Sequence, residues 1–479
     1  MKGLTLIQII LILFITLLLP NCNKGKKTQI ILISIDTLRS DHLGASGYFR
    51  DTSPNLDKLI KDSTFYKSAY TNGCWTMPSH ISLLTGTLPS RHGINKDWQS
   101  THNKKYPKLN DSIKTISEIL KSQDKTIKTV KFAALPDEMG FKRGFDINNR
   151  IDPLENKNTF NKLLKELENH KNKGFFFFIH TWGVHAPYTN SYFLEKEGLS
   201  ENDRNAIDNF KRMSKAERSS LLGRDAQKLD ADFVFFLKKN NLFNPENCRA
   251  LYDSGIRHVD NYMGQLIDKL KHMDIYDNVM LVVVSDHGEH FAEHVPTKFY
   301  GFHGSDYYEE FIEVPIIIKF PHSSKAKRIT QPVSLIDVFP TMLDYYKIKV
   351  PAFAQGGSLL IPHAKRKQRY IVSEAITNSG MEKKMIRLGN LKYIITMKKP
   401  DNRARVNWEK ITERRLYNIK TDTEEKINLY DKPEYKETCA NMEKLLKKIL
   451  EASAKNDFTP TETTLEKKTL EQMKALGYL

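Results

Sequence analysis

The stretch TQIILISIDTLRSD, residues 28–41, sets the architecture. Its first eight residues are almost continuously apolar, which suits a strand buried on both faces of a parallel sheet. Asp36 follows at the carboxyl end, the edge where open α/β sheets bind ligands. Three further runs repeat the pattern: Phe175–Ile179, Val279–Val284 and Val314–Phe320. Between them lie helix patterns. Ser53–Ile60 has a Ser cap and Pro54 in its first turn, and Asp111–Leu120 carries Ile113, Ile116, Ile119 and Leu120 on one face. Glu246–Met273 aligns Leu251, Ile256, Val259, Met263, Leu266 and Leu270. This alternation predicts an α/β body with a largely parallel central sheet flanked by helices.

The charged, weakly periodic segment Asn190–Asn247 is expected to be an insertion running over the surface. After about Pro351 the character changes. Tyr370–Glu374, Met385–Leu388 and Leu391–Thr396 predict a small C-terminal antiparallel α+β subdomain. Helical patterns at Glu434–Ala452 and Leu465–Leu476 follow, joined by a polar linker over Ser453–Thr464. The expected division is 1–22, 28–350 and 351–479.

With 479 residues, 40% of them hydrophobic, the chain can bury a large core and is not of disordered composition. Its formal charge of +17 comes with no nucleic-acid module. The excess fits anionic substrates, an anionic envelope or a plain solvated surface, and no nucleic-acid partner is expected. An apolar run, Leu4–Pro20, stands behind Lys2 and ends near Cys22. It has the form of an export signal and is short for a membrane span. A run ending at a Cys resembles a bacterial lipoprotein signal, in which Cys22 would carry lipid. An uncleaved N-terminal anchor is the alternative. Both imply a tethered protein in a bacterial cell envelope, on the periplasmic or surface face. Of four cysteines, Cys22, Cys74, Cys248 and Cys439, three remain if Cys22 is lipidated, allowing at most one disulfide; none has zinc-finger spacing.

The chemistry gathers around TNGCWTMPSHISLLTG, residues 71–86. Thr76 precedes Pro78 and an apolar helical run, so it would lie at a helix N-terminus, where free N–H groups and the dipole favour an anion. Such a Thr is, by itself, an ordinary helix cap. Asp36, the Asp286-His287 pair and the His180–His185 segment stand at ends of apolar runs, and His303-Gly304 precedes another. Carboxylates with one imidazole can hold a divalent cation, beside which a Thr hydroxyl ionises more easily. The outline is a phosphoryl- or sulfuryl-transfer site.

Several ordered motifs now resemble the sulfatase branch of the alkaline-phosphatase superfamily. They are IDTLRSDHLG from Ile35, TMPSHISLLTG from Thr76 with Pro89-Ser90-Arg91-His92-Gly93, and His185-Ala186-Pro187-Tyr188. Tyr252–Asp260, SDHGE from Ser285, Tyr308-Glu309-Glu310, Val314-Pro315, DVFPTML from Asp337 and LYNIKTDTEEKINL from Leu416 continue the series. The resemblance implies that Asp36, Asp286 and His287, with Thr76, bind a divalent metal. It also implies that Thr76 is the nucleophile, forming a covalent phospho- or sulfo-enzyme. His185 and His303 would face the oxyanion or leaving group, and His80 stands where the usual signature has Arg. Two departures follow. Thr76 holds the place of the Cys or Ser that becomes formylglycine, so no formylglycine is expected; Cys74 is out of register with Pro78 and His80. Thr37 replaces a metal carboxylate. A Thr nucleophile is similar to that of nucleotide phosphodiesterases and lipid-headgroup phosphotransferases of the superfamily.

The expected function is a metal-dependent hydrolase of phosphate, phosphonate or sulfate esters, leaning to phosphoesters. Its substrate would be an anionic ester and its cofactor one divalent ion (Ca, Mn, Mg or Zn). The alternatives are a phospho-headgroup transferase acting on envelope lipids or glycans, and a non-catalytic surface binding protein.

Overall fold

The computed structural model of the chain describes residues 27–95, 105–194, 199–210, 212–225, 229–294, 303–304, 306–365, 370–377, 380–398, 408–455 and 458–475. The export signal or anchor expected over 1–22, with Cys22, lies outside these residues. Among the described residues no helix is long and apolar enough to cross a membrane.

The main sheet has nine strands: β1 (Gln29–Ile35), β2 (Thr64–Tyr70), β3 (Lys128–Phe132), β4 (Ile147–Asn149), β5 (Phe175–Thr181), β6 (Met280–Val284), β7 (Glu313–Lys319), β8 (Lys327–Ile329) and β9 (Val333–Ser334). They are ordered β9-β2-β7-β6-β1-β5-β3-β4, with β8 beside β2. All pairings are parallel except those of β7, which runs antiparallel to both β2 and β6. Strand β1 explains its own composition. Ile31, Ile33 and Ile35 enter one hydrophobic cluster, while Ile30 and Leu32 enter another on the opposite face. With both faces covered, alternation would leave polar groups buried, so Ile30–Ile33 are all apolar.

Helices α1 (Pro54–Ile60), α2 (Thr76–Thr85), α3 (Pro245–His272) and α4 (Val338–Tyr345) cover these faces. Leu251, Ile256, Val259, Met263, Leu266 and Leu270 of α3 join the first cluster, with Leu56, Leu59 and Ile60 of α1. Met77, Ile81, Leu83 and Leu84 of α2 join the second, with Val338, Phe339, Met342 and Leu343 of α4.

Three local expectations change. The helix expected from Asp111 starts at Ile116, because Thr115 and Glu118 form a reciprocal capping box there. The segment after Asn190 is not a plain surface excursion. Its short helices Glu201–Phe210, Lys215–Leu222 and Leu229–Lys239 bury Ile207, Phe210, Leu222, Phe233, Phe236 and Leu237 in the first cluster. Their few apolar residues are spread over three short helices, so no single period shows. Within the expected linker, Thr461–Thr463 pairs antiparallel with Tyr106–Lys108 and returns the tail to the main body. Cys74, Cys248 and Cys439 are all buried and free.

The C-terminal sheet is antiparallel, ordered β10 (Tyr370–Ile376), β11 (Met381–Leu388), β12 (Leu391–Lys398) and β13 (Ile411–Asn418). One face is covered by α5 (Lys436–Ala454) through Met442, Leu446, Ile449 and Leu450. The other face packs on Tyr70, Cys74, Trp75, Tyr307 and Phe311. This sheet therefore backs the loop leading into α2. The Glu374 N–H donates to the Asn72 carbonyl (3.0 Å), and Trp75 Nε1–H donates to the Ile376 carbonyl (3.0 Å).

His294 straps the seam between the two sheets. Nδ1 donates to Glu310 (2.7 Å) and Nε2 to the Glu424 carbonyl, with the ring stacked on Tyr308. Both partners only accept, so the ring carries both protons. Burial opposes the charge, but the hydrogen bond and charge of Glu310, with Glu425, outweigh it and raise His294 above the ordinary histidine range. A raised histidine adds stability that is complete below the ordinary value of about 6.5 and is lost as pH rises through the raised value. His294→Ala is expected to lower the melting temperature more near pH 6 than near pH 9, about either side of that titration. A loss of equal size at both pH values would contradict the strap.

Candidate active site

The carboxyl ends of β1, β5 and β6 deliver Asp36, the loop after Thr181 and the Asp286-His287 pair to one edge of the sheet, and α2 points its first turn at them. Trp75 precedes the helix in extended conformation and makes no side-chain cap, so Thr76 opens the first turn; Gly86, at φ 68°, closes the last. Asp36, Thr76, Asp286 and His287 are all fully buried.

His287 decides what this cluster can do. Its Nδ1 lies 3.0 Å from the Gly288 carbonyl, which can only accept, so Nδ1 carries the proton. Burial pushes the imidazole well below the ordinary histidine range and keeps it neutral, leaving a lone pair on Nε2. That lone pair faces Thr76 Oγ1 at 3.3 Å, Asp286 Oδ2 at 3.5 Å and Asp36 Oδ1 at 3.7 Å. The Thr76 hydroxyl has one proton to donate. The remaining groups present electron pairs to one another, an arrangement that a cation satisfies.

Second contacts fix these groups. Asp286 Oδ1 accepts from the N–H groups of Thr37 (3.3 Å) and His287 (3.0 Å), which turns Oδ2 inward. Oδ2 accepts no hydrogen bond among the described residues. Burial raises the Asp286 carboxyl above the usual carboxylate range. Asp36 Oδ2 lies 3.2 Å from His180 Nε2, and Asp152 accepts from Thr181 Oγ1 (2.9 Å) and the Trp182 N–H (2.7 Å). At Gly288 a Cβ would meet the Glu310 carbonyl oxygen at 1.9 Å, so only glycine lets the turn after His287 pack there.

Three groups of described residues bring ligand atoms within 4.8 Å of one another: Asp36–Asp286–His287, His80–His180–Asp286 and His294–Glu310–Glu425. In the second group three of the four imidazole nitrogens are engaged, and His180 Nδ1 makes no hydrogen bond among the described residues. His80 Nδ1 donates to the Thr76 carbonyl (2.8 Å) and Nε2 accepts from Ser34 (2.9 Å), while His180 Nε2 is on Asp36. In the third, His294 is the strap and Lys392 sits 2.5 Å from Glu425. The first group fits a divalent ion: two oxygen donors, one neutral imidazole and a hydroxyl beside them. His80 reaches the carbonyl of Thr76 rather than its hydroxyl and braces the first turn of α2 against β1.

His185 and His303 lie together on the outer side, their ring centroids 5.1 Å apart, and His303 is 4.2 Å from the His287 ring. Burial pushes both down to about 3, so both are neutral near pH 7. The sequence motifs assign no carboxylate to this pair. Glu289, fully buried, supplies one: Oε1 is 3.3 Å from His303 Nδ1, and Oε2 accepts from Tyr188 (3.0 Å). Burial raises its carboxyl. Gly304, at φ +75°, packs so closely on Trp75 that a Cβ would lie 2.1 Å from the indole. Ser34 and Tyr252 also went unassigned; Ser34 had a visible signal, as a polar residue inside an apolar run.

Residues 28–348 match the family model described as Sulfatase. The chain belongs to the sulfatase family. Residues 299–452 also match the model described as N-sulphoglucosamine sulphohydrolase, C-terminal. Against an arylsulfatase of Clostridium perfringens the chain is 23% identical over 478 aligned positions, covering 89% of this chain and 95% of that one. Against arylsulfatase K of Canis lupus familiaris it is 31% identical over 115 residues, 24% of this chain and 21% of the relative, so that match spans about a fifth of arylsulfatase K. The sulfatase fold recurs in the solved structure of BT4656 in complex with its substrate D-glucosamine-2-N,6-O-disulfate: TM-score 0.68, 20% identity, covering 90% of this chain and 99% of that one. It recurs in the phosphonate monoester hydrolase of Agrobacterium radiobacter: TM-score 0.61, 16% identity, covering 91% and 100%. Relatives of this chain are thus hydrolases of sulfate or phosphonate esters, and sulfatases typically use a divalent metal, for which Asp36, Asp286 and His287 form a fitting group.

Proposed function

We propose that this sulfatase-family chain hydrolyses anionic esters through Thr76, with phosphate and phosphonate esters preferred over sulfate esters. The observation that carries the proposal is the Thr76 hydroxyl, held 3.3 Å from His287 Nε2 at the opening of a ten-residue helix. Thr76 stands where the family's signature has the Cys or Ser that becomes formylglycine, and a threonine side chain cannot make that aldehyde. It retains a hydroxyl, which can attack phosphorus or sulfur directly.

Asp36, Asp286, His287 and the Thr76 hydroxyl would hold one divalent cation. When bound, that ion supplies positive charge that eases ionisation of a neighbouring hydroxyl and gathers charge from the ester's oxygens. The residues do the rest. His80 and Ser34 fix the turn that carries Thr76, and the N-terminal end of α2 favours the anion. As the Thr76 Oγ1 bond to phosphorus or sulfur forms, the bond to the ester oxygen breaks, and the alcohol leaves with a proton in place of the one Thr76 gives up. Water then hydrolyses the phosphoryl or sulfuryl group from Thr76, restoring its hydroxyl. His185 and His303 stand on the outer side, where a leaving group would depart. The apolar run ahead of Cys22 supports a tethered position in a bacterial cell envelope.

A panel of aryl phosphate, phosphodiester, phosphonate and sulfate esters, each assayed with Ca, Mn, Mg and Zn, tests the preference. The expected outcome is a higher kcat/KM on a phospho-ester than on the matched sulfate ester. Turnover of the sulfate ester alone would contradict it.

A further inference from the structure

Thr37 is the one β-branched residue among the described non-glycine residues with positive φ, at 58°. A branched side chain in the left-handed region is a true conformational outlier, and it persists only where its surroundings impose it. Here the imposition is visible. The Thr37 carbonyl accepts from the Tyr252 hydroxyl at 2.7 Å, and the same hydroxyl accepts from the Arg39 N–H at 2.9 Å. The Thr37 N–H donates to Asp286 Oδ1 at 3.3 Å. Thr37 Oγ1 is buried and makes no hydrogen bond among the described residues, so the side chain does not hold the turn. Tyr252 projects from the N-terminal third of α3 and is itself fully buried, its ring against His42 and Phe291.

We propose that Tyr252 is a positioning residue of the cation site: its hydroxyl holds Thr37 left-handed, and that turn fixes Asp36 against Asp286. The two carboxylates follow different strands, and their ligand oxygens lie within 4.8 Å of each other. Thr37 is the covalent neighbour of one and the hydrogen-bond donor to the other. If its backbone relaxed to an ordinary conformation, the N–H would leave Asp286 Oδ1 and the carboxylates would lose their common reference. The hydroxyl spans the turn because it both donates and accepts. Burial raises its ionisation well above the ordinary tyrosine range, so it stays a donor.

The proposal rests on Asp36, Asp286 and His287 being a divalent-cation site. It is tested by calorimetric titration of Ca, Mn, Mg and Zn ions alone into wild type, Tyr252→Phe and the double variant Tyr252→Phe/Thr37→Gly. Tyr252→Phe keeps the ring and its packing and removes only the hydroxyl. It is expected to bind the preferred ion about ten-fold more weakly or worse. Glycine adopts a φ near 58° without a Cβ penalty, so the double variant is expected to regain most of that loss. A merely structural role for Tyr252 gives no such rescue, since Thr37→Gly adds no contact. Melting temperatures without metal check that each variant is folded; should Tyr252→Phe not fold, the double variant is compared with Thr37→Gly alone, which it should match in affinity. Wild-type affinity in Tyr252→Phe, or a loss that Thr37→Gly leaves untouched, overturns the clasp while the cation site stands. Failure of wild type to bind any of the ions overturns the site itself, and the clasp with it.

Discussion

Thr76→Ala is expected to lower kcat/KM on the best ester substrate by roughly 10³-fold or more, with the fold intact. The large effect follows from the position of the hydroxyl. In the proposed mechanism this hydroxyl bonds to the ester, and neither Cys74 nor Ser79 is placed to replace it. Cys74 is buried beside Tyr307, with its thiol pushed up to about 12 chiefly by burial. Ser79 Oγ already donates to the Gly73 carbonyl at 2.8 Å. The small structural effect follows from what is removed. Among the described residues Thr76 Oγ1 makes one long hydrogen bond, to His287, worth about 1 kcal/mol at most. Its carbonyl, which holds His80, is untouched. A variant that unfolds, or one that keeps wild-type turnover, would each contradict this assignment.

Asp286→Asn is expected to act in opposite directions on the metal-free and the metal-loaded protein. Without metal, the Asp286 carboxylate is buried with Oδ2 unbonded, and its ionisation is raised. A carboxyl raised above its unfolded value costs stability once pH passes that unfolded value, so at pH 7 the neutral amide is as stable as the acid or more so. With metal, one of two carboxylates is gone. Wild type should gain about 2.7 kcal/mol of stability at a cation concentration of 100 Kd, and Asp286→Asn should gain almost none. Activity should fall about 10²-fold or more, since the cation's share of transition-state charge stabilisation is several kcal/mol. Melting curves with and without metal read both signs at once. A variant destabilised without metal and still stabilised by it would assign Asp286 a structural role only.

Local pattern carried much of the fold. Four apolar runs marked β1, β5, β6 and β7, and the polar residues at the ends of three of them meet at one edge of the sheet. Strand direction was not readable, because a doubly buried strand is apolar either way; hence β7 gave no sign that it runs antiparallel to β2 and β6. The site was readable where its residues follow strands and unreadable where it depends on distant contacts. Asp36, Thr76, Asp286 and His287 converge, as their motifs suggested. His80 lies four residues after Thr76, which predicts a shared helix face, but its bond to Ser34 crosses from α2 to β1. Glu289 reaches His303, and Tyr252 reaches Thr37 across 215 positions of sequence. Such pairings are set by how helices and loops pack over the sheet, which no local period records.

The central claim is that Thr76 itself carries the covalent intermediate. It is tested most directly by acid-quenching the metal-loaded enzyme during turnover of a phospho-ester and measuring the mass of the peptide spanning Cys74–Arg91. The expected result is an unmodified Thr76 before substrate and one added phosphoryl group on Thr76 after it, absent from Thr76→Ala. An aldehyde on Cys74 or Ser79, or undiminished turnover with no group ever found on Thr76, would contradict it.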